Sequence, residues 1–273
     1  MSKHLLNCFL FLLFILSACK KNEQAIISQG THFNLLLKTV SKLNILGGEV
    51  IKEYSYNTNN QLIQIRTNSN IPSNPPEDQS EIFYRNSSGQ LDSISYSVQS
   101  NNSISLQTKT IFVYNPSGKI ILSSCKTSQL TTTFKDSSIY LYSGNILQNR
   151  KDYRSFDEGL HFSLLRQANF IFDANQNLSK CIYEWFSNPS VDTLTFMYDA
   201  MQNPVPKWNA SFYWGPIFYD DFHPAHNFTS ISSNNLGSNL FLNYQYGINQ
   251  KPLYLKQIQP GGLDDAEIYF YYD

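Results

Sequence analysis

The chain has 273 residues, a formal net charge of -1 and only 15% charged residues. A charge balance this close to zero excludes the strong basic field that attracts nucleic acid at long range, and it also excludes an acidic tail. Aromatic residues make up a further 15% of the chain, with 18 Tyr and 19 Phe. Aromatic and β-branched side chains favour sheet over helix, so the composition predicts an all-β protein.

The first 18 residues have the layout of a cleaved export signal. Lys3 precedes an apolar stretch at residues 5–16, and two small residues stand directly before Cys19. The stretch is too short for a transmembrane helix. The Leu-Ser-Ala-Cys ending resembles the lipobox of bacterial lipoproteins, which implies that Cys19 carries acyl chains and that residues 19–32 form a tether. An ordinary secretory signal with a chance cysteine is the alternative.

Two cysteines remain in the part of the chain that is expected to fold, Cys125 and Cys181, because Cys8 is removed with the signal. An oxidising compartment permits them to pair, but each falls on a different predicted hairpin. The sequence therefore favours two buried free thiols and leaves a disulfide open. A zinc site on these two is disfavoured, since no Cys-x-x-Cys spacing supports it.

Residues 33–273 read as a series of hairpins. An aromatic residue precedes a short segment rich in Asn, Asp and Gly, which tolerate positive φ and bond their own backbone as tight turns require. The anchoring aromatics stand about 28 residues apart: Tyr56, Tyr84, Tyr114, Tyr142, Phe172 and Tyr198. Polar and apolar residues alternate in the flanks, for example over residues 94–98, which is typical of half-buried antiparallel strands. Near the turns, as at residues 111–114, both faces become apolar, which predicts strand ends covered on both sides.

These hairpins predict an all-β fold, an antiparallel meander on the order of 15 strands that is closed or curled into a barrel-like sheet. The last segment, residues 267–272, has no turn after it. We expect it to pair with the first strand, near residues 33–40, and to close the structure.

Residues 204–236 interrupt the hairpin series with a dense aromatic insertion. A long irregular segment on a regular scaffold is a common place for function. We predict ligand binding there by four aromatic residues, Trp208, Tyr213, Trp214 and Tyr219. Exposed rings would stack on sugars or anchor a protein partner, whereas buried rings would form a plug at an open end of the barrel.

The same insertion holds a candidate metal site made of Asp220, Asp221, His223 and His226. Carboxylates and imidazoles suit zinc or another divalent ion, but Pro224 forbids the helix that would place both histidines on one face. An exposed polar loop is the simpler interpretation. No catalytic motif is present, and no cofactor is expected.

A further pattern concerns three aspartates, Asp78, Asp136 and Asp192, each of which stands six residues before a tyrosine. We interpret them as turn or strand-start residues that bond their own backbone.

The export signal and hairpins such as residues 114–120 and 198–204 together resemble Bacteroidetes envelope lipoproteins that carry a domain of unknown function with a porin-like fold. The segment 227–231 is similar to one found late in such domains. The resemblance spans residues 33–273 and implies a shape and an address, outside the cytoplasm and attached to the outer membrane. It implies no activity and no catalytic residues.

The sequence therefore predicts a lipid-anchored envelope protein that acts by binding a glycan or an envelope or surface protein, without nucleic acid as a partner. Lys109, Asp92 and Lys135 are expected on the face opposite the apolar one, which favours a water-facing exterior over a membrane-inserted barrel. The alternatives are a polysaccharide or peptide hydrolase with its site at residues 208–227, and a purely structural envelope protein.

Overall fold

The computed structural model describes residues 35–43, 47–72, 77–100, 103–129, 133–174, 177–186, 189–202, 226–234, 239–258 and 266–272. These residues form sixteen strands: β1 (Leu36–Leu43), β2 (Glu49–Tyr56), β3 (Leu62–Asn70), β4 (Glu77–Arg85), β5 (Leu91–Ser100), β6 (Ser103–Tyr114), β7 (Ile120–Gln129), β8 (Thr133–Ser143), β9 (Ile146–Ser155), β10 (Ser163–Phe172), β11 (Leu178–Trp185), β12 (Ser190–Gln202), β13 (His226–Ser233), β14 (Asn239–Tyr246), β15 (Pro252–Ile258) and β16 (Ala266–Tyr272).

The strands form one closed antiparallel barrel in which each strand pairs with its neighbours in the sequence. The last strand, β16, pairs with the first, and Ser41 lies opposite Ile268 in that register. The predicted all-β meander and its closure are thus both confirmed. Closure pairs the edges that an open sheet of this width would leave available to other chains.

The short turns from even-numbered to odd-numbered strands lie at one end of the barrel, which we name the turn end. Asparagine side chains shape several of them. Asn57 Oδ1 accepts hydrogen bonds from the backbone N–H groups of Asn59 and Gln61, at 3.0 and 2.9 Å. Asn115 does the same for Ser117 and Lys119, at 3.0 and 2.9 Å. These bonds let a side chain satisfy backbone donors that the strand ladder leaves behind.

Tyrosine hydroxyl groups form hydrogen bonds between neighbouring hairpins at the turn end. Tyr114, at the end of β6, donates its hydroxyl hydrogen to the carbonyl oxygen of Leu91, the first residue of β5, at 2.7 Å. The same bond from an even strand to the first residue of the strand before it recurs in four further pairs: Tyr56 with Leu36, Tyr142 with Ile120, Tyr198 with Leu178 and Tyr272 with Pro252. This explains the spacing of the tyrosines in the sequence.

One anchoring tyrosine departs from this arrangement. The copy at Tyr84 carries one extra residue before its turn, and the side chain of Tyr84 is 46% exposed.

We expect Tyr114→Phe to lower the free energy of unfolding by about 1 kcal/mol, because it removes one hydrogen bond to a half-buried carbonyl without changing the ring. Urea denaturation measures this. Tyr84→Phe is the matched control, and its midpoint should stay at the wild-type value. Equal losses in the two variants would show that the hydrogen bond from Tyr114 to Leu91 does not contribute to stability.

The interior near the turn end is filled with apolar side chains. Buried residues from all around the barrel meet there, among them Leu62, Phe83, Phe112, Ile120, Phe170, Phe196, Phe228, Leu255 and Phe270. These positions follow the period of two, since their neighbours point outward. The barrel is therefore a packed core in this half and not an open channel.

The exterior is polar over much of its height. Lys109, Lys126 and Lys135 lie directly opposite one another on β6, β7 and β8. Near the turn end the outward residues are apolar but exposed, with Val113 44% and Met197 62% accessible. The prediction that these strand ends are covered on both faces is therefore wrong. Within the described residues, no helix is long and apolar enough to cross a membrane.

Candidate ligand cavity in the barrel lumen

Farther from the turn end, the inner faces of β6 to β11 become polar and charged. The central element is β9, in which Arg150, Asp152 and Arg154 alternate with outward residues. Because successive side chains of a strand point to opposite faces, all three enter the lumen. Their cross-strand neighbours are also polar, with Asp152 opposite Ser138 on β8 and Arg166 on β10.

Asp152 is the centre of a buried ion cluster. One carboxylate oxygen, Oδ2, accepts hydrogen bonds from Arg150 Nη2 at 2.9 Å and Arg166 Nε at 2.6 Å, and the other accepts one from Ser138 Oγ at 2.6 Å. Burial acts to raise the pKa of Asp152, but the two guanidinium groups and the serine outweigh it and hold that pKa below its usual value. Asp152 is therefore a fixed anion.

A second ion pair, between Arg154 and Asp136, lies nearer to solvent. Arg154 binds Asp136 with two parallel hydrogen bonds, Nε to Oδ1 at 2.7 Å and Nη2 to Oδ2 at 2.9 Å. The Arg154 guanidinium also lies over the ring of Phe134, 4.4 Å from its centroid. The hydrogen bond to Asp136 raises the pKa of Arg154. This fork-like pair fixes the position of both side chains.

Arg166 is held by aromatic rings as well as by Asp152. Its guanidinium carbon lies 5.5 Å from the ring centroid of Tyr183 and 5.2 Å from that of Trp185, both on β11. Cation–π contacts of this kind favour Arg and orient its planar group. The side chain of Arg166 is 21% exposed.

These side chains enclose a cavity of about 470 Å³. Its lining combines the ion cluster with small polar groups and a few large side chains: Thr110, Ser123, Cys125, Asp136, Ser138, Arg150, Asp152, Tyr153, Arg154, Leu165, Arg166 and Trp185. The volume falls in the range of small-molecule sites, which combine apolar walls with a few placed polar groups. In the described part of this lining, three arginines face two aspartates.

The two cysteines of the barrel are free thiols. Cys181 is fully buried, and burial raises its pKa to about 11. Cys125 is half-buried and lines the cavity. The free thiols that the sequence favours are observed, although only Cys181 is buried completely.

The ligand and metal residues that the sequence predicts fall largely outside the described residues. This applies to Cys19, to the four aromatics Trp208, Tyr213, Trp214 and Tyr219, and to Asp220, Asp221 and His223. His226 begins β13, and its Nδ1 lies 3.2 Å from Asn177 Oδ1. Among the residues that the structure describes, no three His, Cys, Asp or Glu side chains gather as a metal site.

The sequence alone does not predict this cavity, because alternation along a strand ordinarily indicates an apolar inner face and a polar outer face. The signal that could have identified it is the Arg-x-Asp-x-Arg spacing of β9, which places three charges on one face of a strand. Two of the three aspartates stand near strand starts as predicted, but their side chains bond side chains of other strands. Asp136 binds Arg154, and Asp192 accepts a hydrogen bond from Ser233 Oγ at 2.7 Å.

No family model and no curated protein matches this sequence. Among solved structures, the chain is similar to a porin-like protein from Bacteroides uniformis, with a TM-score of 0.58, 10% identity and coverage of 88% of this chain and 98% of that one. It is also similar to a porin-like protein from Bacteroides vulgatus, with a TM-score of 0.54, 14% identity and coverage of 88% and 99%. The fold is porin-like.

Proposed function

We propose that this chain is a lipid-anchored protein of the bacterial envelope that binds a small glycan in the lumen of its barrel. The layout of residues 1–19 supports the export signal and the anchor on Cys19. The porin-like proteins from Bacteroides that share the fold support an envelope location. The cavity of about 470 Å³ beside Trp185 is the observation that carries the binding role.

The cavity has the composition of a sugar site. Trp185 offers a flat apolar ring, while Ser138, Thr110 and the guanidinium groups offer hydrogen-bond partners for hydroxyl groups. The aromatic and arginine side chains are positioned by the contacts between them, so a ligand meets a largely preformed surface.

A water-facing barrel fits the outer surface better than a membrane-inserted one. A membrane barrel has an apolar outer band about 25 Å tall. Here exposed Lys109 and Lys126 stand opposite each other on the outer face of adjacent strands, whereas many of the exposed apolar residues, such as Val113 and Met197, lie near the turns. The filled half of the lumen also argues against conduction.

Binding fits the cavity better than hydrolysis. A glycosidase needs one carboxylic acid whose pKa is raised and a second carboxylate free to act as a base or nucleophile. Both oxygens of Asp152 and both oxygens of Asp136 are already bound by arginine or serine. Neither residue is arranged to exchange a proton with a substrate.

A panel of immobilised neutral and acidic oligosaccharides, probed with the purified full chain in detergent, tests the proposal. Trp185→Ala should abolish binding while far-UV circular dichroism stays unchanged. The aromatic insertion is the second candidate surface, so Trp214→Ala is the matched variant. Loss of binding in Trp214→Ala alone would move the site to the insertion, and a chain that binds no glycan on the panel would contradict the proposed function.

A further inference from the structure

Among the described residues, the ion cluster of the lumen holds three arginines and two aspartates. Asp136 is bound by Arg154 through both of its oxygens. Asp152 accepts hydrogen bonds from two cations, Arg150 and Arg166, through the same oxygen. A charge held away from water is costly unless an opposite charge accompanies it, so this arrangement favours an incoming anion.

Among the described residues, three other charged groups on inner faces of the barrel, Lys52, Glu81 and Asp192, are not part of the cavity lining. Lys52 on β2 and Glu81 on β4 influence each other electrostatically. Asp192 on β12 accepts a hydrogen bond from Ser233. Within the described lining, the guanidinium of Arg166, which shares Asp152 with Arg150, is therefore the group that an incoming anion would meet.

Of these two arginines, Arg166 is the one that a ligand can reach. Arg150 is 2% exposed, against 21% for Arg166. A guanidinium has five N–H donors, and the hydrogen bonds of Arg166 within the described residues use its Nε–H. Its two terminal amino groups present four more donors in the planar geometry that matches a carboxylate.

The ring that holds Arg166 in place also borders the same cavity. Trp185 lies directly opposite Arg166 in the register of β10 and β11. A ligand bound to the guanidinium therefore meets an indole at its side, which suits a flat apolar surface next to an anionic group. A sugar ring that carries a carboxylate combines these two features in one molecule.

We propose that the lumenal cavity selects a sugar that bears a carboxylate, of the uronic-acid type. The carboxylate accepts hydrogen bonds from the terminal amino groups of Arg166, and the sugar ring lies against Trp185. This assignment rests on the proposed glycan-binding function and names the class of glycan.

Calorimetric titration of the full chain with galacturonate and galactose tests the assignment, because the two sugars share their ring and differ at the carboxylate. Glucuronate and glucose form a second such pair. We expect the acidic sugar to bind about tenfold tighter or more at neutral pH, the effect of a charge-assisted bidentate contact. Arg166→Gln should remove this preference, and Arg166→Lys should retain only part of it.

Two controls keep the outcome interpretable. Arg66→Gln removes the same charge from an exposed position on β3 and should keep the preference. Thermal unfolding establishes that Arg166→Gln is folded, which we expect because Asp152 retains Arg150 and Ser138. If the Arg66 variant loses the preference equally, net charge and not Arg166 is responsible, and the assignment fails.

The results also separate this inference from the proposed function. Equal affinity of the wild-type chain for galacturonate and galactose would overturn the carboxylate assignment and leave glycan binding in place. A chain that binds none of the four sugars but binds neutral glycans of the panel would do the same. A chain that binds neither would overturn both.

Discussion

Asp152→Ala should destabilise the barrel by about 3–5 kcal/mol, the loss typical of removing one partner from a buried ion pair. The change leaves the guanidinium groups of Arg150 and Arg166 without their shared carboxylate, and the Arg150 side chain is only 2% exposed. It also removes the acceptor of the Ser138 hydroxyl. Urea denaturation followed by tryptophan fluorescence measures the loss.

Asp136→Ala is the matched control, because it also removes an aspartate that is bound to an arginine in the same lumen. The side chains of Asp136 and Arg154 are 30% and 32% exposed, so water screens the pair. We expect a loss of about 1 kcal/mol or less. If the two variants lose the same free energy of unfolding, burial does not make the Asp152 cluster more stabilising than the exposed pair.

The same cluster predicts how stability depends on pH. The folded-state pKa of Asp152 is below its usual value, since the arginines and Ser138 outweigh the effect of burial. A depressed carboxyl pKa contributes stability that is present above the unfolded-state pKa of about 3.9 and is lost as the pH falls through the folded-state value. Unfolding measured between about pH 6 and 3 should show a larger loss in the wild-type chain than in Asp152→Asn, in which other carboxyls such as Asp157 still contribute.

Phe228→Ala should cost about 3–5 kcal/mol, the range for deleting a fully buried phenylalanine side chain. Phe228 is 2% exposed. Its ring centroid lies 5.5 Å from that of Phe196 and 4.9 Å from that of Tyr198. The variant leaves a cavity where β12 and β13 pack into the filled half of the lumen, and chemical denaturation reports its cost.

Phe241→Ala controls for the residue type, because Phe241 lies on the adjacent strand β14 and is 41% exposed. We expect a change within about 0.5 kcal/mol for that variant. A small loss in Phe228→Ala would mean that this half of the lumen is loosely packed, contrary to the closed and filled barrel.

The hairpins and the closure could be predicted from the sequence because both depend on local chemistry. Asn57 and Asn115 bond their own turns, so the turn positions are determined by a few consecutive residues. The tyrosine spacing follows from the hydrogen bond between a tyrosine at the end of one strand and the first residue of the strand before it, as with Tyr114 and Leu91. Closure follows because the final strand otherwise leaves an unpaired edge.

The cavity could not be predicted because it depends on contacts between side chains of different strands. Arg166 and Asp152 are on different strands, and only their register shows that they meet inside the barrel. Alternation along β9 shows which side chains share a face of the strand, but it does not show which face points into the lumen. The usual expectation places charges in water, and a barrel of sixteen strands has enough interior to hold them.

The exposure of apolar residues near the turns also could not be predicted from the pattern of one strand. Apolar residues stand on both faces of the strand ends at Val113 and Met197, a pattern that predicts cover on both sides. Their inner neighbours, Phe112 and Phe196, fill the core, while the outer residues remain exposed. Hydrophobicity alone does not identify the buried face when the lumen and the exterior are both part apolar.

The most direct test of the central claim, that the lumenal cavity is the binding site, is the rate at which iodoacetamide alkylates Cys125. This thiol lines the cavity, and buried Cys181 serves as the unreactive reference in the same mass spectrum. We predict that galacturonate, at about ten times its dissociation constant, slows modification of Cys125 about tenfold. An unchanged rate while calorimetry shows the sugar bound would place the ligand outside the lumen and contradict the claim.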